Sequence, residues 1–478
     1  MDFMSTLRDR ESPELNSDIA PSAETGGWSS TGCLILFSWF NLQRGISTRK
    51  SMATLTQFTR RYMQQLLFLI LLNLAGLYFS AALPPAKAPI FGKPFVVIWN
   101  APIYKCDELQ IPLDMGVFHA ITTPQQVPDQ VLTLMYSSRL GLFPYIDLYN
   151  FTQYNGGIPQ KGNITASLQK AKKEFNQYIP SSAPGLAVLD WEEWFPLFDR
   201  NSDLREIYKA VSINFTLQQN PSFTSNQATF IAKEQFEKAA RSFLEETLKL
   251  GISQRPNILW GFYLFPDCYN YDFLNPNYTG KCPESANILN DKLQWLWQAS
   301  TAFFPSAYMP LSISKTQKAA LFVRHKVLEA MRVAELSDRP YVAPIYLYLQ
   351  LLCGTTKGMF KSEADLIRSI GESAALGASG CLLWGSSYYF KDKESCTSLS
   401  TYLSNTVNKY VVNVTTAAEL CSDVLCQGNG RCVRQSYDSD DYLHLNINSF
   451  VIEKIDGMYK VFGQLSNDDL IDWANKFT

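Results

Sequence analysis

The sequence predicts an α/β fold closed into a (β/α) barrel, and three observations point there. Beyond residue 90, short β-branched and aromatic runs alternate with longer stretches of helical spacing. The runs are apolar throughout rather than alternating with polar residues, as in strands covered on both faces of a parallel sheet. Seven of them over about 320 residues, each separated by helical material, are enough for closure into a barrel. A doubly wound open sheet is the alternative, but no G-x-G-x-x-G follows the first run.

Taken in order, the predicted strands are residues 95–100 (FVVIWN), 132–137 (LTLMYS), 186–192 (LAVLDWE), 258–265 (ILWGFYLF), 307–311 (AYMPL), 343–349 (APIYLYL) and 381–385 (CLLWG). The clearest helix between them is 232–250 (AKEQFEKAARSFLEETLKL), for which Gly251 reads as the stop signal. Upstream, residues 66–83 (LLFLILLNLAGLYFSAAL) follow Arg60-Arg61 and precede Pro84-Pro85, with small residues at Ser80, Ala81 and Ala82. Residues 63–84 therefore read as a signal peptide or a signal anchor. Residues 1–62 are too long for an ordinary n-region and are expected to stand outside the fold, with Cys33 lacking a structural partner. Five N-x-[ST] sites, at Asn150, Asn163, Asn214, Asn277 and Asn413, all lie downstream of the apolar run, as glycan acceptors on a lumenal surface should.

The composition narrows the chemistry. Of 478 residues, 46% are hydrophobic and 18% charged, which suits a large packed core and excludes a disordered chain. A net charge of −2 argues against a broad nucleic-acid-binding field, so a polyanion would have to be gripped locally. Three histidines leave little for a His-based metal site, and no metal or cofactor is expected. Ten cysteines with the sequons place the chain in an oxidising, secretory compartment.

A barrel carries its active site at the carboxyl ends of its strands. Those ends hold Asn100, Tyr136, Asp190 with Glu192, Tyr263, Tyr308, Tyr348 and Trp384, an aromatic lining around a pair of acids. Tyrosines that merely close the barrel rim are the plain alternative. Along an extended strand Asp190 and Glu192 point together while Trp191 and Glu193 point elsewhere. Two carboxyl groups in one small volume cannot both ionise cheaply, so one is kept protonated toward neutral pH. That is what a general acid for glycosidic cleavage requires. Glu193 reads as structural.

The segments GLAVLDWEEW (185–194), LWGFYLFPDCYNYDFLNPNYTGKCP (259–283), WLWQASTAFFPSAYMP (295–310), IGESAALGASG (370–380), LLWG (382–385) and VNVTTAAELCSDVLCQGNGRCVR (412–434) closely resemble animal hyaluronidases, glycoside hydrolase family 56, over residues from about 90 to the last. The resemblance implies a distorted barrel over 85–417 followed by an EGF-like module over 418–478. It implies endo-cleavage of β-1,4 N-acetylhexosaminide bonds in hyaluronan, with action on chondroitin left open. Glu192 matches the proton donor and later base, and Asp190 its partner. Tyr263 and Tyr308 match residues near the cut; Tyr136, Tyr348, Asn100 and Trp384 match walls of the groove. Glu329 matches a family acid for which a structural salt bridge is expected.

The resemblance also implies the disulfides Cys106–Cys396, Cys268–Cys282 and Cys421–Cys432. Cys426 should pair with a cysteine of a C-x-C beyond Thr478, so an incomplete module with an odd thiol is expected. Cys353 and Cys381 are expected as buried free thiols or as a private disulfide. Two departures stand out: the family's W-R-P-x-W-x-R-N is here Trp194-Phe195-Pro196-Leu197-Phe198-Asp199-Arg200-Asn201, and a second basic position, usually Arg, is Lys326. Loss of a cation at 195 should slow turnover or move the working pH. A monomer is expected, secreted, at the cell surface or lysosomal, with a glycosaminoglycan as partner and no nucleic acid. Membrane attachment through an uncleaved signal or a later anchor stays open. A glycosaminoglycan-binding or adhesion protein with little turnover is the second functional reading, favoured by Phe195.

Overall fold

The computed structural model describes residues 91–125, 127–353 and 359–478, so the segment expected to be a signal peptide or anchor at 63–84, the residues before it and Cys33 lie outside the described residues. The strands that matter for the site are β1 (Val96–Asn100), β2 (Ala120–Thr122), β3 (Leu132–Tyr136), the small hairpin β4 (Tyr145–Ile146) and β5 (Gln153–Tyr154), β6 (Gly185–Asp190), β7 (Ile258–Phe262), β8 (Tyr346–Leu349) and β9 (Gly380–Trp384). Seven of them form two parallel sheets, ordered β2-β1-β9-β8 and β3-β6-β7, while β4 and β5 pair only with each other, antiparallel. Isolated parallel bridges from Tyr263 to Phe304, Phe303 to Ile345 and Ser306 to Tyr348 stitch the two sheets together.

This seam corrects the fifth expected strand. Pairing falls on residues 303–306 rather than 307–311, and Leu311–Ile313 is a short 3₁₀ turn. Pro305 and Pro310 supply no amide hydrogen, so a regular ladder cannot run through either. Gly261 in β7 permits the close approach: a Cβ there would meet the Ala302 carbonyl oxygen at 2.2 Å. The three-residue β2, too short to show a pattern, went unread in the sequence.

Alternation along the strands sorts the core. Val96 and Ile98, Leu132 and Leu134, Leu186 and Val188, with Tyr346, Tyr348 and Leu382, turn inward and fill the barrel with Phe304 and Tyr263. Their neighbours turn outward under the helices, Val97 and Trp99 on one side, Ala187, Leu189, Trp260 and Phe262 on the other. Each large side chain removed from water in this way contributes about 1.5–3 kcal/mol.

The helix expected at 232–250 runs from Ser225 to Gln254, opened by a Thr224–Gln227 capping box. Gly251 does not stop it. A Cβ at that position would meet the Trp260 ring at 2.6 Å, so the glycine lets β7 press against the helix, and Pro256 ends the segment.

The boundary expected between 417 and 418 falls inside an unbroken helix, Asn408–Cys426. Residues beyond it return to the barrel: Leu443, Leu445, Phe450, Trp473 and Phe477 share a core with Val97 of β1 and Leu383 of β9. An antiparallel hairpin of β10 (Phe450–Ile455) and β11 (Met458–Gly463) and the helix Asn467–Lys476 complete this segment. Glu372 joins it to the barrel helices, accepting from Arg324 Nε at 2.7 Å and Arg434 Nη1 at 2.8 Å with all three side chains buried.

The disulfides are Cys106–Cys396, Cys268–Cys282 and Cys421–Cys432. The first closes a separation of 290 residues, worth up to about 5 kcal/mol in the chain-entropy account. Cys353 and Cys381 are buried free thiols, and Cys426 is free and half-buried. Asn150, Asn163, Asn214 and Asn277 are exposed. Asn413 is half-buried on its helix, and its Oδ1 accepts from the Leu445 amide at 3.1 Å.

Candidate active site

The carboxyl ends of the strands bring the expected residues into a closed circuit. Register sets Tyr136 beside Asp190 on β3 and β6, and Asn100 beside Trp384 on β1 and β9. Trp384 Nε1 donates to the Tyr136 hydroxyl at 3.3 Å across the barrel mouth. The Trp384 ring stacks on Tyr308 with centroids 5.9 Å apart, Tyr308 faces Tyr263 at 6.5 Å, and Tyr263 meets Tyr348 edge-on at 5.1 Å. The circuit returns to the start because Tyr348 sits against Tyr136 and Asp190; burial first, then these neighbours, drive its hydroxyl well above the ordinary tyrosine range.

Depth divides the circuit. Asn100, Tyr263 and Tyr348 are buried, Asn100 donating to Thr122 Oγ1 at 2.9 Å and Tyr263 to Ser306 Oγ at 3.2 Å. Tyr136, Tyr308 and Trp384 are half-buried and reachable from solvent. Arg139, buried beneath, fixes the β3 end by donating to the Leu134 carbonyl at 2.6 Å while lying 5.7 Å from the Tyr136 ring. Aromatic faces with polar tips suit sugar rings, whose apolar faces stack while their hydroxyls seek partners.

β6 ends on Asp190, so Glu192 stands on the loop that follows rather than on the strand itself. Asp190 is 9% exposed and Glu192 half-buried, whereas Trp191 and Glu193 turn into the protein. Trp191 packs on Phe143, Tyr145 and Trp194. The Glu193 carboxyl is pushed up to about 7: burial dominates, Arg205 draws it back, and Asp147 and Asp190 push it further up.

The loop is held from below. Asn201 accepts from the Phe195 amide at 2.9 Å and donates to the Phe195 and Leu197 carbonyls at 3.0 Å each. Arg205 donates through Nε and Nη2 to the Glu192 carbonyl, at 3.0 and 2.7 Å, with its guanidinium 4.9 Å from the Phe195 ring centre. Sequence reasoning missed Arg205 and Ser306. Neither shows a periodic or motif signal, since Arg205 sits in the polar stretch Asn201-Ser202-Asp203-Leu204-Arg205.

The second basic position, Lys326, is spent inside the fold, and Glu329 makes the structural salt bridge expected of it. Lys326 is 1% exposed, paired with Asp267 at 2.5 Å and close to the Tyr271 ring. Glu329 accepts from Asn290 at 2.7 Å and from both Nε and Nη2 of Arg332 at 2.8 Å.

A parallel barrel whose mouth combines two carboxyl groups with a ring of tyrosines and a tryptophan has the equipment of a glycoside hydrolase. The profile of the family described as hyaluronidase matches residues 85–478. The chain is 43% identical over 387 residues to mouse (Mus musculus) hyaluronidase-5, covering 80% of this chain and 73% of that one. It is 41% identical over 416 residues to human (Homo sapiens) hyaluronidase PH-20, covering 86% and 81%. Crystallographic bee venom hyaluronidase in complex with a hyaluronic acid tetramer superposes with a TM-score of 0.59 at 28% identity, covering 66% of this chain and 98% of that one. The chain belongs to the hyaluronidase family of glycoside hydrolases.

Proposed function

We propose that this enzyme cleaves the β-1,4 N-acetylhexosaminide bonds of hyaluronan internally, with retention, using the substrate's own acetamide as nucleophile. Glu192 gives its proton to the glycosidic oxygen as the bond to the anomeric carbon breaks. The acetamide carbonyl oxygen of the same sugar attacks that carbon and forms an oxazolinium-like ring. Glu192, now a carboxylate, takes a proton from water, which opens the ring from the face the leaving group vacated. Asp190 keeps the pair's remaining charge in place and orients the acetamide, while Tyr263 and Tyr308 flank it and Tyr136, Tyr348, Asn100 and Trp384 shape the site around it.

The observation that carries the reading is the circuit of aromatic residues joined through Asp190, with Glu192 set at the barrel mouth where solvent and a polymer can reach it. Three disulfides among the described residues and four exposed sequon asparagines support maturation in the secretory pathway, with the cell exterior, cell surface or lysosome as destination. Hyaluronan and chondroitin present the same acetamide and differ in the orientation of one hydroxyl, so chondroitin is the second substrate to assay.

The test is to follow chain-length loss of hyaluronan and chondroitin side by side for the full chain and for Glu192→Gln. The variant is expected to lose about 10²–10⁴-fold in kcat while still binding polymer. An unchanged rate refutes the role of Glu192. Binding of polymer with no cleavage by the parent chain establishes the adhesion reading instead.

A further inference from the structure

The loop that carries Glu192 is gripped from the side by the Arg205 guanidinium. The Arg205 side chain sends two N–H donors to a single acceptor, the main-chain oxygen of Glu192, at 3.0 and 2.7 Å. Its guanidinium simultaneously covers the Phe195 ring at 4.9 Å, and that ring is backed edge-on by Phe265 at 6.1 Å. The cation is thus held between an aromatic face and the loop it supports. It arrives from the 3₁₀ turn Asp203–Arg205 that leads into the helix Glu206–Gln219, and the turn begins at Asp203 with φ of 54°.

We propose that Arg205 is a positioning residue for the hydrolysis, clamping the Glu192 main chain and supplying the positive charge against which the neighbouring carboxyl groups are balanced. The proposal rests on the reading of Glu192 as the proton donor. A fork that grips the main-chain carbonyl fixes the loop at the residue itself, which sets the point and direction from which the Glu192 side chain leaves the backbone.

The charge has specific company. On the same loop as Glu192, Arg205 lowers the Glu193 carboxyl, which Asp147 of the β4–β5 hairpin and Asp190 of β6 raise, and Tyr145 of β4 in turn faces Glu193 and Asp147. The helix after the turn contributes Tyr208, and the segment beyond β7 contributes Tyr269, against whose ring Arg200 lies at 4.1 Å. Among these named groups the acids Asp147, Asp190, Glu192 and Glu193 outnumber the cations Arg200 and Arg205. Removing Arg205 therefore favours the protonated forms, and the working pH range must move upward.

The experiment compares pH profiles of kcat and KM on hyaluronan for the parent, Arg205→Gln, Arg205→Lys and Phe195→Leu, with Lys209→Gln removing an equal charge from the same helix as control. Arg205→Gln is expected to lower kcat about tenfold with KM within about twofold, and to raise the pH optimum by about half a unit to one unit. Arg205→Lys keeps the charge but not the fork, so its optimum returns to the parental value while kcat stays depressed about threefold. Phe195→Leu keeps both the charge and the donors, and retains the optimum. Lys209→Gln leaves the profile unmoved.

An unmoved optimum in Arg205→Gln overturns the proposal, whether or not kcat falls, as does an equal upward shift in Lys209→Gln. If Arg205→Gln fails to fold, the proposal stands or falls on Arg205→Lys: a displaced optimum there overturns it. Glu192→Gln run in parallel separates the two claims. Full activity in that variant overturns the assignment of the acid, whereas its inactivity beside an unmoved Arg205→Gln profile overturns the clamp alone.

Discussion

Replacing Glu193 by Gln should make the enzyme more stable at alkaline pH while leaving it nearly unchanged at acidic pH. The carboxyl of Glu193 is buried next to Asp147 and Asp190, and despite the opposing pull of Arg205 its value rises from 4.5 to about 7. The folded protein therefore holds a proton that the unfolded chain releases, and stability falls as pH climbs from 4.5 through 7. At about 1.36 kcal/mol per unit, the ionised carboxylate costs the native state roughly 3 kcal/mol at pH 8 and less than about 1 kcal/mol at pH 5. Glutamine keeps the shape and carries no charge at either pH. Urea unfolding of parent and variant with disulfides intact should show the difference between them growing by roughly 2.5 kcal/mol from pH 5 to pH 8. Comparing the two pH values cancels any packing effect of the substitution. A difference that stays constant to within about 0.5 kcal/mol over that range refutes the reasoning, because Glu193 would then titrate like an exposed acid.

Two further outcomes follow from buried charge. Glu372→Gln leaves Arg324 and Arg434 buried without their shared carboxylate and should cost about 3–5 kcal/mol in urea unfolding, loosening the segment after Cys432 with it; a loss below about 1 kcal/mol counts against the triad as the joint. His444, depressed to about 4 by burial and hydrogen-bonded to Tyr410 at 3.0 Å, stays neutral in the folded state while the unfolded chain takes up a proton below 6.5. Stability is thus lost as pH falls from 6.5 toward 4, by roughly 2–3 kcal/mol, and His444→Gln should flatten that limb of a melting-temperature profile. An identical acid limb in both proteins shows that other groups set it.

The sequence by itself determined six of the seven strand runs, the presence of two acids where one of them ends, and the family. Apolar runs alternating with helical stretches are local signals, and β1, β3, β6, β7, β8 and β9 each overlap the run that announced it. Asp190 and Glu192 were legible because a pair of acids at the end of an apolar strand contradicts its surroundings, and Trp384 and the tyrosines because they recur at strand ends. Where reading failed, the deciding partner was distant in the chain. Gly251 reads locally as a helix stop, but the Trp260 ring beside it makes it a point of close packing within a helix that continues. The seam at Phe303–Ser306 depends on what β7 and β8 offer as partners, which no periodicity between two prolines encodes. The helix Asn408–Cys426 crosses an expected domain boundary because its buried face, and the chain beyond it, find their apolar partners on the barrel.

Electrostatics was the least legible part. Lys326 reads as a basic position that keeps its charge without a fork, yet folding buries that charge against Asp267. Arg205 reads as ordinary loop polarity, yet folding brings it beneath Glu192, where Phe195 supplies the face on which it rests. Charge interactions depend on distance and on exclusion of water, and both are set by segments that meet only in three dimensions. The residue types needed for the chemistry are thus written along the chain, whereas the identity of the cation that serves the acids is a property of the folded loop.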